Sequence, residues 1–157
     1  DGVTIPIGDY SYQRYGAEIS TGGQRPLFVT LRLEDGSFFS GDRKTVNVEL
    51  NWQPSRYFSG ALEYEYNDID LPEGKFNTQL IRLRTEVAFN PDWAWITTSQ
   101  YDNQSESLGI NSRLQWIPRA GSEFYIIYNG GWLDRDETGF SQVGESATVK
   151  ISHTFRF

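Results

Sequence analysis

The chain has 157 residues, a formal net charge of −7, 38 % hydrophobic and 15 % aromatic residues, and no cysteine. That length suits one domain over residues 1–157, the acidic balance excludes a nucleic-acid partner whose phosphates it would repel, and the missing cysteines exclude disulfides and thiolate metal sites. No apolar run approaches the roughly 18 residues of a membrane-spanning helix.

In chain order, Ile5-Pro6-Ile7-Gly8-Asp9 reads as a loop entering the first strand, because Pro6 would weaken any ladder there. Two weak strands follow, near residues 10–20 and 27–35. Val46, Val48, Leu50 and Trp52 then alternate with Thr45, Asn47, Glu49 and Asn51, the period-two pattern of a strand with two unlike faces. Phe58, Gly60, Leu62, Tyr64 and Tyr66 alternate with Ser59, Ala61, Glu63 and Glu65, and Ile81, Leu83, Thr85, Val87 and Phe89 with Arg82, Arg84, Glu86 and Ala88. Segment 93–101 is more uniformly apolar and its facing stays open. Leu108, Ile110, Ser112, Leu114 and Trp116 alternate with Gly109, Asn111, Arg113 and Gln115. Segment 123–130 is again uniformly apolar. The last strand sets Val149, Ile151, His153, Phe155 and Phe157 against Lys150, Ser152, Thr154 and Arg156. About nine strands result.

The connectors divide into two classes. Thr21 to Pro26, Gln53-Pro54-Ser55, Asn90-Pro91-Asp92 and Pro118 to Ser122 read as short turns after the odd strands. Longer polar connectors, 35–43, 67–75, 102–106 and 131–145, are expected after the even ones. Trp52, Tyr57, Phe58, Phe89, Trp93, Trp95, Trp116 and Phe124 gather beside the short turns, where an interfacial aromatic belt would lie. Strand alternation, unequal connectors and an aromatic belt together predict an all-β fold. The form expected is an antiparallel up-and-down transmembrane β-barrel of the bacterial outer membrane, with long loops extracellular and the C-terminus periplasmic. Such barrels normally have even strand counts. Nine strands therefore point either to a tenth strand at Val3 to Ile7 or, as the loop reading of Ile5 to Asp9 favours, to part of a larger even-stranded barrel with further strands expected before Asp1.

The ending Lys150-Ile151-Ser152-His153-Thr154-Phe155-Arg156-Phe157 resembles the insertion signal of outer-membrane barrels, carried by Lys150, Ser152, Phe155 and Phe157, with Ser152 in place of the more usual Gly. That implies capture by the barrel-assembly machinery through strand pairing. A wider resemblance rests on Ile5 to Tyr10, Gly36 to Gly41 before Arg43, Trp52-Gln53-Pro54-Ser55, Asn67 to Phe76, Gln100 to Asn103, and Asn111 to Glu123. On these motifs the chain resembles the C-terminal barrel of large outer-membrane proteins that carry an N-terminal domain like family 9 carbohydrate-binding modules. The resemblance implies a scaffold or transport module tied by its domain company to extracellular glycans. It covers nearly all of this chain and only the end of such a protein. Proteins of that family are often labelled hydrolases, and no residue here supports the label.

Chemistry is sparse. His153 is the only histidine, which excludes a histidine-built metal site, and its expected position faces lipid near the periplasmic rim rather than the outer loops where a general base would work. No cofactor is implied. Asp68, Asp70 and Glu73 form one acidic loop, and Asp134, Asp136 and Glu137 another. Each has two readings: Ca²⁺ or a cation bridge to lipopolysaccharide, or a solvated acidic loop. Arg14, Glu18, Arg32, Glu34, Glu49, Glu63, Glu65, Arg82, Arg84, Glu86, Arg113, Lys150 and Arg156 all fall on the polar face, where they would line a lumen and pair across neighbouring strands. The partners expected are outer-membrane lipid, lipopolysaccharide and other outer-membrane proteins. Two other classes stay open: a membrane-embedded hydrolase, and a soluble β-sandwich or lipocalin-like binding protein.

Overall fold

The computed structural model describes residues 3–134 and 139–154. Nine antiparallel strands form one sheet in chain order: β1 (Arg14–Ser20), β2 (Leu27–Phe38), β3 (Gly41–Ser55), β4 (Phe58–Leu71), β5 (Gly74–Asn90), β6 (Trp93–Asp102), β7 (Ser107–Arg119), β8 (Ser122–Asp134) and β9 (Phe140–His153). Each strand pairs only with its chain neighbours. The sheet is open, with β1 and β9 paired on one side alone. Residues 3–13 contain no strand, as the loop reading of Ile5 to Asp9 expects.

Proline and asparagine shape the tight turns. Asn90 Oδ1 accepts from the backbone N–H of Asp92 at 2.9 Å and of Trp93 at 3.0 Å, so the side chain itself closes the Pro91-Asp92 turn. β3 slips register between Trp52 and Ser55 around Pro54, and β7 between Trp116 and Arg119 around Pro118. A residue with no N–H leaves a gap in the ladder, and a bulge absorbs it. Gly121, at φ +83, completes the β7–β8 turn.

The connectors differ from expectation. Segments 35–43 and 67–75 are not loops: β2 and β3 run on to a turn at Phe39-Ser40, and β4 and β5 to a turn at Pro72-Glu73. The β1–β2 connection, residues 21–26, is longer than either. β6 and β7 do part at 103–106, as expected. The polar residues of 35–43 and 67–75 look like turn material, but they occupy one face of long hairpin arms. The first strand begins later than expected, at Arg14, and the last begins earlier, at Phe140.

Register assigns every strand residue a side, because side chains alternate across a strand and paired residues share a face. Leu33 pairs with Val46, Val46 with Tyr66, Leu62 with Leu83, Trp95 with Leu114, and Ile126 with Val149. One apolar face therefore runs from β1 to β9, and the facing of β6 and β8 is settled by their partners. Among the described residues no large side chain is fully buried. Among the described residues no second sheet or helix packs on this one.

Two glycines sit where strands and segment 3–13 approach closely. A Cβ on Gly41 would stand 2.0 Å from the backbone oxygen of Asp70, and one on Gly36 2.1 Å from that of Gln13. Gly41→Ala is expected to lower stability by about 1–3 kcal/mol through overpacking. Gly109→Ala, whose added methyl meets nothing within 4 Å, should stay within about 0.5 kcal/mol of the parent. Thermal melts followed by far-UV circular dichroism compare the two, and equal melting points would contradict the close approach at Gly41.

Candidate functional site

The functional candidates of this fold are its two faces. On the apolar face, exposure rises where a soluble protein would bury: Ile19 is 72 % exposed, Val149 69 % and Ile126 56 %. Apart from Phe89 and Val143, which fall at register shifts, every exposed large hydrophobic side chain on the described strands stands on this face. All five tryptophans share it: Trp52, Trp93, Trp95, Trp116 and Trp132. Near the short turns their rings interlock. Trp93 stacks on Trp116 with centroids 5.3 Å apart, Phe124 lies 5.0 Å beyond, and Trp52 meets Phe58 edge-on at 5.4 Å. Trp95 Nε1 donates to Ser112 Oγ at 2.7 Å, which satisfies the one polar atom of its ring.

Most of the buried polar side chains stand on the polar face. Thr30, Asn47 and Asn67 are buried there, although the sheet is one layer thick. Register places Arg14, Glu18, Arg32, Glu34, Glu49, Glu63, Glu65, Arg82, Arg84, Glu86, Arg113 and Lys150 together on it. Arg156 lies outside the described residues. Asn67 is a hub: its Oδ1 accepts from Thr45 Oγ1 at 2.6 Å, and its Nδ2 donates to Glu65 at 2.9 Å and to Thr78 Oγ1 at 3.0 Å. Arg32 bridges across strands to Glu18 at 2.7 Å. Arg82 does the same with Glu63 and also donates from Nε to Gln100 at 3.3 Å.

Pairing across strands holds for Arg32 and Arg82 and not for all of the set. Arg84 reaches Glu86 on its own strand at 3.5 Å. Arg113 lies over the ring of Tyr125, 5.7 Å from its centroid, and its Nε is buried without a hydrogen-bond partner, as is Asn47 Oδ1. Glu49 stands directly opposite Glu63, a like-charge pair that costs stability unless a cation intervenes. Arg82 pairs with the Glu63 member of it. It completes an open cleft of about 250 Å³ lined by Glu49, Glu63, Arg82 and Arg84 among others.

The remaining candidates disperse. Asp68 and Asp70 lie on an exposed strand face, and Asp70 pairs with Lys75 at 2.6 Å, holding the Lys75 ammonium above the ordinary lysine range by hydrogen bond and charge. Glu73 accepts from Ser40 Oγ at 2.7 Å in the neighbouring turn. Asp134 ends β8, and Asp136 and Glu137 lie outside the described residues. The described residues hold no group of three or more side chains able to bind a metal ion. His153 Nδ1 is 2.8 Å from Ser122 Oγ, but that hydroxyl is buried and also accepts from Arg119 Nε at 3.3 Å, so it is not presented to a substrate. Of the terminal signal, Lys150 and Ser152 lie on the polar face of β9, and Phe155 and Phe157 fall outside the described residues. Comparison with protein-family models, with curated proteins and with solved structures finds no match for this chain.

Replacing Arg82 with Leu removes the ion-pair partner of Glu63, which stands opposite Glu49. Since the Arg82–Glu63 pair is more than a third exposed, the expected loss is about 1 kcal/mol. Glu63→Gln on the same background should recover part of it. Arg84→Leu should cost less. Chemical denaturation of the three variants measures the differences, and equal losses for Arg82→Leu and Arg84→Leu would contradict the assignment.

Proposed function

We propose that this chain is a wall section of a bacterial outer-membrane β-barrel, acting as a scaffold or transport module with lipid against its apolar face. One observation carries the reading: outside the register shifts, the exposed large hydrophobic side chains of the strands stand on one side of the sheet and the charged network on the other. Leaving one such side chain in water rather than burying it costs about 1.5–3 kcal/mol. A bilayer removes that cost without a second protein layer. Leu108 to Trp116 spans about 27 Å of strand at about 3.4 Å per residue. Tilted by about 40°, that is about 20 Å of height, close to the apolar band of about 25 Å on such barrels.

Strand parity supports a larger even-stranded ring. Antiparallel neighbours alternate in direction, so β1 and β9 run the same way. Joining them directly would make a parallel seam, whereas an odd number of further strands would keep every pair antiparallel. Lipid does not tolerate open edges, because their backbone groups would have no partner. On this reading the interlocked aromatics mark the periplasmic interface, and the hairpin arms of β2–β5 point outward. Lipopolysaccharide, the barrel-assembly machinery and other outer-membrane proteins are the corresponding partners. The resemblance carried by the sequence motifs extends the proposal to a barrel joined to glycan-handling proteins. A soluble carrier of lipocalin type would turn its apolar face inward, and here most of the buried polar side chains stand on the polar face.

The tryptophans provide the test. With all five on one face, reconstitution into vesicles containing brominated phospholipid should quench most of the intrinsic fluorescence, while aqueous acrylamide should quench little. A detergent-free, monodisperse chain whose emission ignores brominated lipid would overturn the proposal.

A further inference from the structure

The two faces exchange polarity at one end of the sheet. The last apolar row is Leu33, Val46 and Tyr66, and Gln79 follows it on β5. One step further along the same face stand Asp35, Lys44, Asp68 and Asn77, which are register partners in sequence and all exposed. The opposite face, mainly polar until here, turns mainly apolar, with Phe38, Ile69, Leu71 and Phe76, and Arg43 beside Ile69 lays its guanidinium over the Phe38 ring at 5.0 Å. Ile69 and Leu71 are each only 4 % exposed, the lowest of any apolar side chains among the described residues.

Burial of that degree on a one-layer sheet calls for cover, and segment 3–13 lies against the same end of the sheet. Val3 approaches Gly74, the register partner of Leu71, so closely that a Cβ there would meet it at 3.2 Å. Val3 and Ile5 are themselves half-buried. Further along the segment, Tyr10 packs edge-on against Phe39 with centroids 5.5 Å apart, and Gln13 exchanges hydrogen bonds with Ser37, its N–H donating to Ser37 Oγ at 2.7 Å and its carbonyl accepting from Ser37 N at 2.9 Å. The Tyr10 hydroxyl donates to the Pro6 carbonyl at 2.6 Å, folding the segment back on itself. Ser40 and Glu73 join the two hairpin turns.

Outward carboxylates and ammoniums with inward Ile, Leu and Phe are the pattern of a protein surrounded by water, the reverse of the wall below. We propose that the outer ends of β2–β5, with segment 3–13, form a water-exposed head with its own dry core, standing above the bilayer and closing the polar side of the wall at that end. The inference rests on the membrane reading and adds the level at which lipid stops.

Because the chain has no cysteine, single cysteines report position directly. The full chain, in phosphatidylcholine vesicles, would carry a bimane label at Leu83→Cys or Asp68→Cys, with quenching by a nitroxide phospholipid compared against quenching by aqueous iodide. The lipid quencher should act at Leu83 and the aqueous one at Asp68. In addition, Ile69→Cys should react with a membrane-impermeant maleimide about tenfold or more slowly than Asp68→Cys, as a core position guarded by local opening does. Leu71→Cys serves in its place if Ile69→Cys fails to fold. Lipid quenching at Asp68 would overturn the head while leaving the membrane wall intact, and so would equal maleimide rates at the two positions. Aqueous quenching at both Asp68 and Leu83 would instead sink the membrane reading itself.

Discussion

A sheet one layer thick cannot shield both of its faces with its own side chains, so each face must match whatever lies against it. In this protein the match is set by register. Eight successive pairings all place apolar residues beside apolar ones, and a slip of one residue in any of them would turn a strand's whole apolar set to the polar side. The bulges at Trp52/Ser55 and Trp116/Arg119 fall at strand ends, beside proline, where a change of phase leaves the central rows untouched. Turn chemistry and face chemistry therefore act together: the turns keep the phase that the faces need.

The polar face has the opposite problem. Its charges are numerous and of both signs, and its ion pairs keep more than a third of their side-chain surface exposed, so each adds little stability by itself. The solution is local and incomplete. Arg32 and Arg82 reach acids on the neighbouring strand, Asn67 ties three strands through neutral groups, and Arg113 settles over an aromatic ring. Glu49 stands against Glu63, and of the two only Glu63 forms an ion pair with Arg82. A network of this kind holds strands in phase by specific contacts, where an apolar layer would only hold them together.

The existence of nine strands was legible in the sequence, and period-two alternation gave the side taken in segments such as Val46 to Trp52 and Ile81 to Val87, whereas the uniformly apolar β6 and β8 took their facing only from their register partners. The set of charges sharing the polar face was equally legible, since it follows from the same period. Their partners were not: whether Arg84 reaches across to a neighbour or along to Glu86 depends on rotamer and on the diagonal offset between strands, which spacing does not encode. The hairpin arms were misread for a different reason. Segments 35–43 and 67–75 are rich in Asp, Gly, Ser and Pro, so composition suggested loops, while the alternation of Asn67, Ile69 and Leu71 against Asp68 and Asp70 continued beneath it with its polarity reversed. Ile5 to Asp9 read correctly as irregular while residues 10–13 were expected in the first strand, and nothing in the sequence announced that Val3 would lie against Gly74, more than seventy positions away.

The connectivity of the sheet bears on how it is made. Every strand lies beside the one synthesised just before it, and the turns at Arg56-Tyr57, Phe39-Ser40, Pro72-Glu73, Pro91-Asp92 and Ala120-Gly121 bring partners together across two residues. Local connections of this kind cost little closure entropy, so each hairpin can form before its neighbour exists. Pairings so close in sequence favour fast folding over the slow search that a sheet of distant strands requires.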